Sequence, residues 1–194
     1  EYRGYDSAGI AIFDETENIQ VFKSTGKVAE LQSSIDKNPV NGNTGIAHTR
    51  WATHGLPTEA NAHPHHSNNK VFVIHNGIIE NHQEIRTTLK ALGYSFESET
   101  DTEVIAHLIH AKMSENNLSL MDALKVAVKD LRGAYAIGAV CETEPGTLAA
   151  ARKGSPLVVG IGHGENFIAS DQLALADFAA VSYTHLTLPT IVGV

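Results

Sequence analysis

Cysteine is nearly absent: Cys141 is the only one among 194 residues, so no internal disulfide can form. It sits in the apolar stretch AIGAVCE and reads as a buried strand position rather than a reactive thiol. Positive charge is scarce as well. Fourteen Lys and Arg face 22 Asp and Glu, giving a formal net charge of -8 with no local run of Lys or Arg. That balance disfavours a phosphate-backbone binder, and no nucleic acid partner is expected. No apolar run approaches the roughly 20 residues that cross a bilayer, and no charged head precedes an apolar core as in a signal peptide. The expectation is a soluble, cytoplasmic protein with no membrane partner.

Cofactor signals are missing too. The segment Gly160-Ile-Gly-His-Gly164 is followed by no Gly-Lys-Ser/Thr and lies in no βαβ pattern, so it reads as turns. His54, His63, His65 and His66 raise the question of zinc, since imidazole is a common ligand. No HExxH helix, cysteine pair or nearby carboxylate completes a shell, and neither metal nor cofactor is expected.

What is present is the material for one domain, since 42% apolar residues in a chain of this length can bury about two thirds of the unfolded surface. β-rich runs at Ser7 to Phe13, Ile19 to Lys23, Thr44 to Arg50 and Val71 to His75 are bounded by Gly, Asn or Pro and predict strands. Apolar residues three or four apart predict helices at Asn81 to Leu92, Thr102 to Met113 and Leu118 to Leu131, with Gly93 and Gly133 at helix ends. Short apolar runs at Ala134 to Cys141, Thr147 to Ala151, Leu157 to Gly160 and Phe167 to Ala169 predict further strands. Strands, then helices, then strands indicate a layered α+β fold.

Three places carry polar groups suited to chemistry. Arg50, Trp51, Thr53 and His54 follow a strand end, where a planar guanidinium, an apolar wall and short polar handles suit a small zwitterion. A solvated loop explains them equally well. Asn76-Gly77 lies between VFVIH and IIE, which is a strong hairpin-turn signal, while the Asn amide and Gly N–H are also the materials of an oxyanion hole. Asp101, in Thr100-Asp-Thr-Glu103, fits a capping box before a helix, and equally a carboxylate that receives an ammonium group.

Together the segments resemble the class II glutamine amidotransferases. The blocks that carry the resemblance are Tyr2 to Gly9, Gly45 to Gly55, Asn61 to His65, His75 to His82, Ser98 to His107, Leu131 to Tyr135 and Gly164 to Asp171, in order. The resemblance implies an N-terminal-nucleophile hydrolase fold, a four-layer αββα sandwich, here lacking its first strand. It implies that Arg50 and Asp101 hold the α-carboxylate and α-amino group of L-glutamine, that Trp51, Thr53, His54 and Gly77 shape the pocket, and that Asn76 and Gly77 form the oxyanion hole. Arg3 would support the nucleophile loop. The nucleophile implied is an amino-terminal cysteine, its own α-amino group acting as base. Ammonia would pass to a sugar-phosphate isomerase domain of the same chain, in a full-length enzyme expected to be a homo-oligomer. The wording Trp-Ala-Thr-His and Ser-Glu-Thr-Asp-Thr-Glu favours this branch over the amidophosphoribosyltransferase one, and a catalytically silent glutamine-binding module is the reading from another class.

Two departures shape the expectation for this chain. It opens at Glu1 with no cysteine ahead of Tyr2, so it is expected to begin downstream of the natural start and to be inactive alone. The glutaminase domain is expected over residues 1–178. Residues 179–194 do not match the family pattern, and a frameshift or assembly artefact is the expected origin of that tail.

Overall fold

A computed structural model of the chain describes residues 5–51, 55–183 and 190–193. β1 (Ser7–Phe13) runs between β2 (Ile19–Thr25) and β3 (Gly45–Arg50), both antiparallel to it. The second sheet has the order β11-β7-β6-β5-β4, built from β4 (His65–Ser67), β5 (Val71–Ile79), β6 (Gly133–Cys141), β7 (Ala149–Lys153) and β11 (Thr190–Gly193). A small third sheet, β10-β8-β9, joins β8 (Val158–Ile161), β9 (Asn166–Ala169) and β10 (Val181–Tyr183). A 3-10 turn at Gln172–Leu175 follows β9.

Side chains alternate across a strand, and that period divides the core in two. Val71, Val73 and Ile79 of β5, with Tyr135, Ile137 and Ala139 of β6, face a large cluster shared with helices. Phe72 and Val140, on the other face, meet Ala11 and Phe13 of β1 and Ile46 of β3. The helical layer comprises α2 (His82–Ala91), α3 (Glu103–Asn116) and α4 (Leu120–Asp130). α2 buries Ile85 and Leu89, one stripe four residues apart, whereas α3 is buried nearly all round and α2 and α4 both pack against it. The Ser119 hydroxyl caps α4 by accepting from the Asp122 N–H at 3.2 Å. A fourth helix, α1 (Val28–Lys37), packs on β1 and β2 and completes the helix, sheet, sheet, helix order.

Several expectations change. α1, β4, β10, β11 and the 3-10 turn were not foreseen. Asn76-Gly77 is not a turn: β5 continues to Ile79, and Gly77 pairs with Tyr135 inside the sheet. Gly77 has φ +137 and a Cβ there would run into the Ala134 carbonyl, so the position demands glycine even within a strand. Asp101 does not cap α3. Thr102 occupies the cap position with helical backbone angles and no side-chain cap, and the Glu103 carboxylate turns back to the N–H groups of Glu97 and Ser98, each at 2.8 Å. Gly93, with φ +91, does follow the end of α2, but Gly133 opens β6 rather than closing α4.

Candidate functional site

β3 is an edge strand whose even positions turn inward: Ile46 and Arg50 are buried and His48 is half-buried, while Gly45, Ala47 and Thr49 are exposed. β5 faces it with the same phase, so Asn76 follows Phe72 and Ile74 toward the space between the sheets, and His75 points to the helical side. Between these strands lies a cavity of about 610 Å3, a size suited to a small-molecule ligand. Arg50, Trp51, Asn76, Gly77 and Asp101 all line it, so residues from three separate blocks of the sequence converge on one space. Trp51 stands at the rim, 70% exposed. Arg3, Thr53 and His54 lie outside the described residues. Ser170 and Asp171, after β9, and Leu157, before β8, line it as well.

Arg50 is 3% exposed. Its guanidinium donates to the Gly55 carbonyl at 3.1 Å, the Leu56 carbonyl at 3.4 Å and the Asp6 carboxylate at 3.2 Å. Several fixed partners from a planar fork set its orientation. Asp101, also buried, accepts the Ile79 N–H at 2.8 Å, which ties the segment before α3 to the end of β5. Arg86 of α2 secures the same segment by donating to the carbonyls of Ser98 and Thr100.

A group of imidazoles lies along the cavity wall, where His48, His63 and His75 line it. His48 Nε2 meets Asn76 Oδ1 at 2.8 Å, and its ring lies 4.2 Å from that of His63. The Thr102 hydroxyl bridges His63 Nε2 at 3.1 Å and His75 Nδ1 at 3.0 Å. His65 Nε2 meets the Thr100 hydroxyl at 3.1 Å. Burial lowers the pKa of all four rings: His75 to about 4, His65 to about 3, His63 well below its ordinary value, and His48 downward with Arg50 adding to the effect. They are neutral at pH 7. Of the four histidines weighed and set aside as zinc ligands, His63 and His65 sit in this buried network, His66 is half-buried near Glu97, and His54 lies outside the described residues. Among the described residues no group of three or more His, Cys, Asp or Glu is arranged to hold a metal ion.

Residue-by-residue reading missed His48, His75 and Thr102. The signal for His48 was the phase of β3: once Arg50 is placed inward, an alternating strand puts position 48 inward too. Thr102 had no comparable signal, because its role comes from strands remote in sequence. Cys141, as expected, is buried in β6; it packs in the helix-side cluster, and burial pushes its thiol pKa up.

Known proteins resemble this chain in sequence and fold. A family model described as a glutamine amidotransferase domain matches residues 48–177. The glutamine–fructose-6-phosphate aminotransferase (isomerizing) of Pseudomonas putida is 59% identical over 175 residues, covering 90% of this chain and 28% of the relative. The protein of the same name from Legionella pneumophila is 53% identical over 92% of this chain and 30% of its own length. The chain therefore spans less than a third of these relatives. A solved structure of glutamine phosphoribosylpyrophosphate amidotransferase from B. subtilis superposes with a TM-score of 0.74 at 30% identity, over 90% of this chain and 37% of that one. The layered fold is the N-terminal-nucleophile hydrolase type that the sequence implied, and the chain belongs to the glutamine amidotransferase domain family.

Proposed function

We propose that the cavity is a glutaminase site that converts L-glutamine to glutamate and ammonia. The observation that supports this most directly is the convergence of a buried guanidinium, a buried carboxylate and the Asn76-Gly77 pair on one cavity. In this reading Arg50 pairs with the α-carboxylate and Asp101 receives the α-ammonium, so the side-chain amide extends toward Asn76. A thiolate attacks the amide carbon, and negative charge gathers on its oxygen. The Asn76 NH2 group and the Gly77 N–H stabilise that oxyanion, each such donor being worth about 3 to 4 kcal/mol. The nitrogen leaves as ammonia on taking up a proton, and water hydrolyses the thioester. Trp51 at the rim, with Thr53 and His54 following it in the sequence, is assigned to shaping the pocket.

Cys141 is unsuited to be the nucleophile: it faces the helices, on the opposite side of the sheet from Asn76. We assign the thiolate to an amino-terminal cysteine ahead of Tyr2, with Arg3 supporting its loop. The glutaminase domain covers residues 1–178, and the ammonia serves an isomerase domain that turns fructose 6-phosphate into glucosamine 6-phosphate in a cytoplasmic homo-oligomer.

A silent glutamine-binding module is the second reading, favoured by one observation: no cysteine lines the cavity among the described residues. Glutamate release by the protein carrying a cysteine-initiated segment ahead of Glu1 decides between them. Activity lost on Arg50→Ala and on Asp101→Ala supports the glutaminase. A folded, inactive protein that still binds glutamine supports the silent module instead.

A further inference from the structure

The oxyanion hole proposed above needs Asn76 in one of its two amide orientations. If the carboxamide were reversed, Oδ1 would present lone pairs to the place where negative charge develops, and the site would repel its own intermediate. Nothing in the Asn side chain chooses between the two, since they have the same shape. The choice must come from what faces the other end of the amide.

That neighbour is His48. Its Nε2 lies 2.8 Å from Asn76 Oδ1, while its Nδ1 is buried and completes no hydrogen bond of acceptable geometry among the described residues, the His75 backbone carbonyl acting on the ring without forming one. A neutral imidazole has one N–H and one lone pair. Placing the proton on Nδ1 would orphan a buried N–H, which folded proteins avoid more strictly than an orphaned acceptor. The proton therefore belongs on Nε2, where it is donated to Oδ1, and the Asn76 NH2 group is left facing the cavity. Burial, and after it the Arg50 guanidinium two residues along the same strand face, disfavours a second proton. The backbone fixes the pairing: β3 and β5 belong to different sheets, each held by its own ladder.

We propose that His48 is a positioning residue for glutamine hydrolysis, fixing through its Nε2–H the orientation in which Asn76 donates to the oxyanion. The inference rests on the glutaminase reading.

The test is steady-state glutamine hydrolysis by the full-length, cysteine-initiated protein carrying His48→Leu, His48→Met, His48→Gln, Asn76→Ala and the His48→Leu/Asn76→Ala pair. The Gln side chain restores a donor near Nε2, while Leu and Met fill the space without one. His48→Leu or His48→Met should lower kcat about 10- to 100-fold and leave KM within about 3-fold, as expected for loss of one oriented donor. His48→Gln should keep about a third or more of the wild-type kcat. In the Asn76→Ala background the His48→Leu change should cost less than about 2-fold, because the group it positions is gone. A full additive loss in that background overturns the proposal, as does a loss confined to KM. If neither donor-free variant shows a cooperative thermal transition, His48→Gln alone decides: a kcat as low as that of Asn76→Ala overturns the role. Should Asn76→Ala itself be fully active, the oxyanion reading fails and this inference with it. Asn76→Ala inactive beside a fully active His48→Leu would sink the positioning role alone.

Discussion

Acidification from pH 7 to pH 5 should destabilise this fold well before its carboxylates are titrated. His65 and His75 are 3% and 4% exposed, and burial holds their pKa values at about 3 and about 4. In the unfolded chain both titrate near 6.5. The folded pKa lies below the unfolded one, so the unfolded state binds more protons in this window and stability falls as pH falls. At pH 5, a ring kept neutral 1.5 units below its unfolded pKa costs about 2 kcal/mol. Little of that cost is present at pH 7, so the two rings together remove about 3.5 kcal/mol, and His48 and His63 act in the same direction. Glu103 works in a different window. Burial alone would raise its pKa, but the His107 ring 3.5 Å away and hydrogen bonds from the Ser98 hydroxyl and the Glu97 and Ser98 N–H groups outweigh it and lower the pKa to about 2, so the stability it contributes is lost only between about pH 4.5 and 2. Urea unfolding at pH 7, 6 and 5 measures the effect. Against a typical total of 5 to 15 kcal/mol, the midpoint should fall steeply by pH 5. Equal stability at pH 7 and 5 would refute the account of a neutral, desolvated histidine group.

Three further outcomes follow from single contacts. Thr102→Val removes the hydroxyl that bridges His63 and His75, and should cost about 2 kcal/mol in thermal or urea unfolding, since two buried ring nitrogens lose their partner. Gly77→Ala places a Cβ against the Ala134 carbonyl at φ +137; a loss of about 2 to 3 kcal/mol is expected, with inactivation, and a neutral result would show that β5 can shift. Arg50→Lys replaces a fork that reaches the Gly55 and Leu56 carbonyls and Asp6 by a single ammonium. It should raise KM for glutamine about 10-fold or more with a smaller effect on kcat, which steady-state kinetics would resolve.

How much of this was legible in the sequence depends on the range over which each signal acts. Strand β1, whose alternating Ala11 and Phe13 point into the core, was readable to the residue because period two is local. α1 was missed although Val28, Leu31 and Ile35 recur three and four residues apart: three apolar residues in a ten-residue helix are a short signal, and only Leu31 of them is fully buried. The tail strands β10 and β11 exist as pairings with β8 and β7, and a partner strand is not a property of the local sequence. The Asn-Gly pair misled for an instructive reason. A positive φ at glycine normally signals a turn, but here the same freedom lets β5 approach Ala134 closely while continuing as a strand.

The site shows the same division between local and long-range information. Arg50, Asn76 and Asp101 could be named from the sequence, each with a bland local explanation beside the functional one. Their convergence came from the sheet register, which sets Asn76 toward the neighbouring sheet and His75 toward the helices as consecutive residues of one strand. The two faces then answer different needs. The inner face offers His48 as a donor to the Asn76 carboxamide, and the outer face ties His75 through Thr102 to the segment that carries Asp101. A shift of one residue in β5 would exchange those faces, removing the proposed oxyanion donor and the anchor of the carboxylate proposed to receive the ammonium together. Register is therefore the property on which the proposed chemistry most depends, and Thr102, whose hydroxyl holds His63 and His75 at the cavity wall, is expected to be as sensitive to change as the residues assigned to the chemistry.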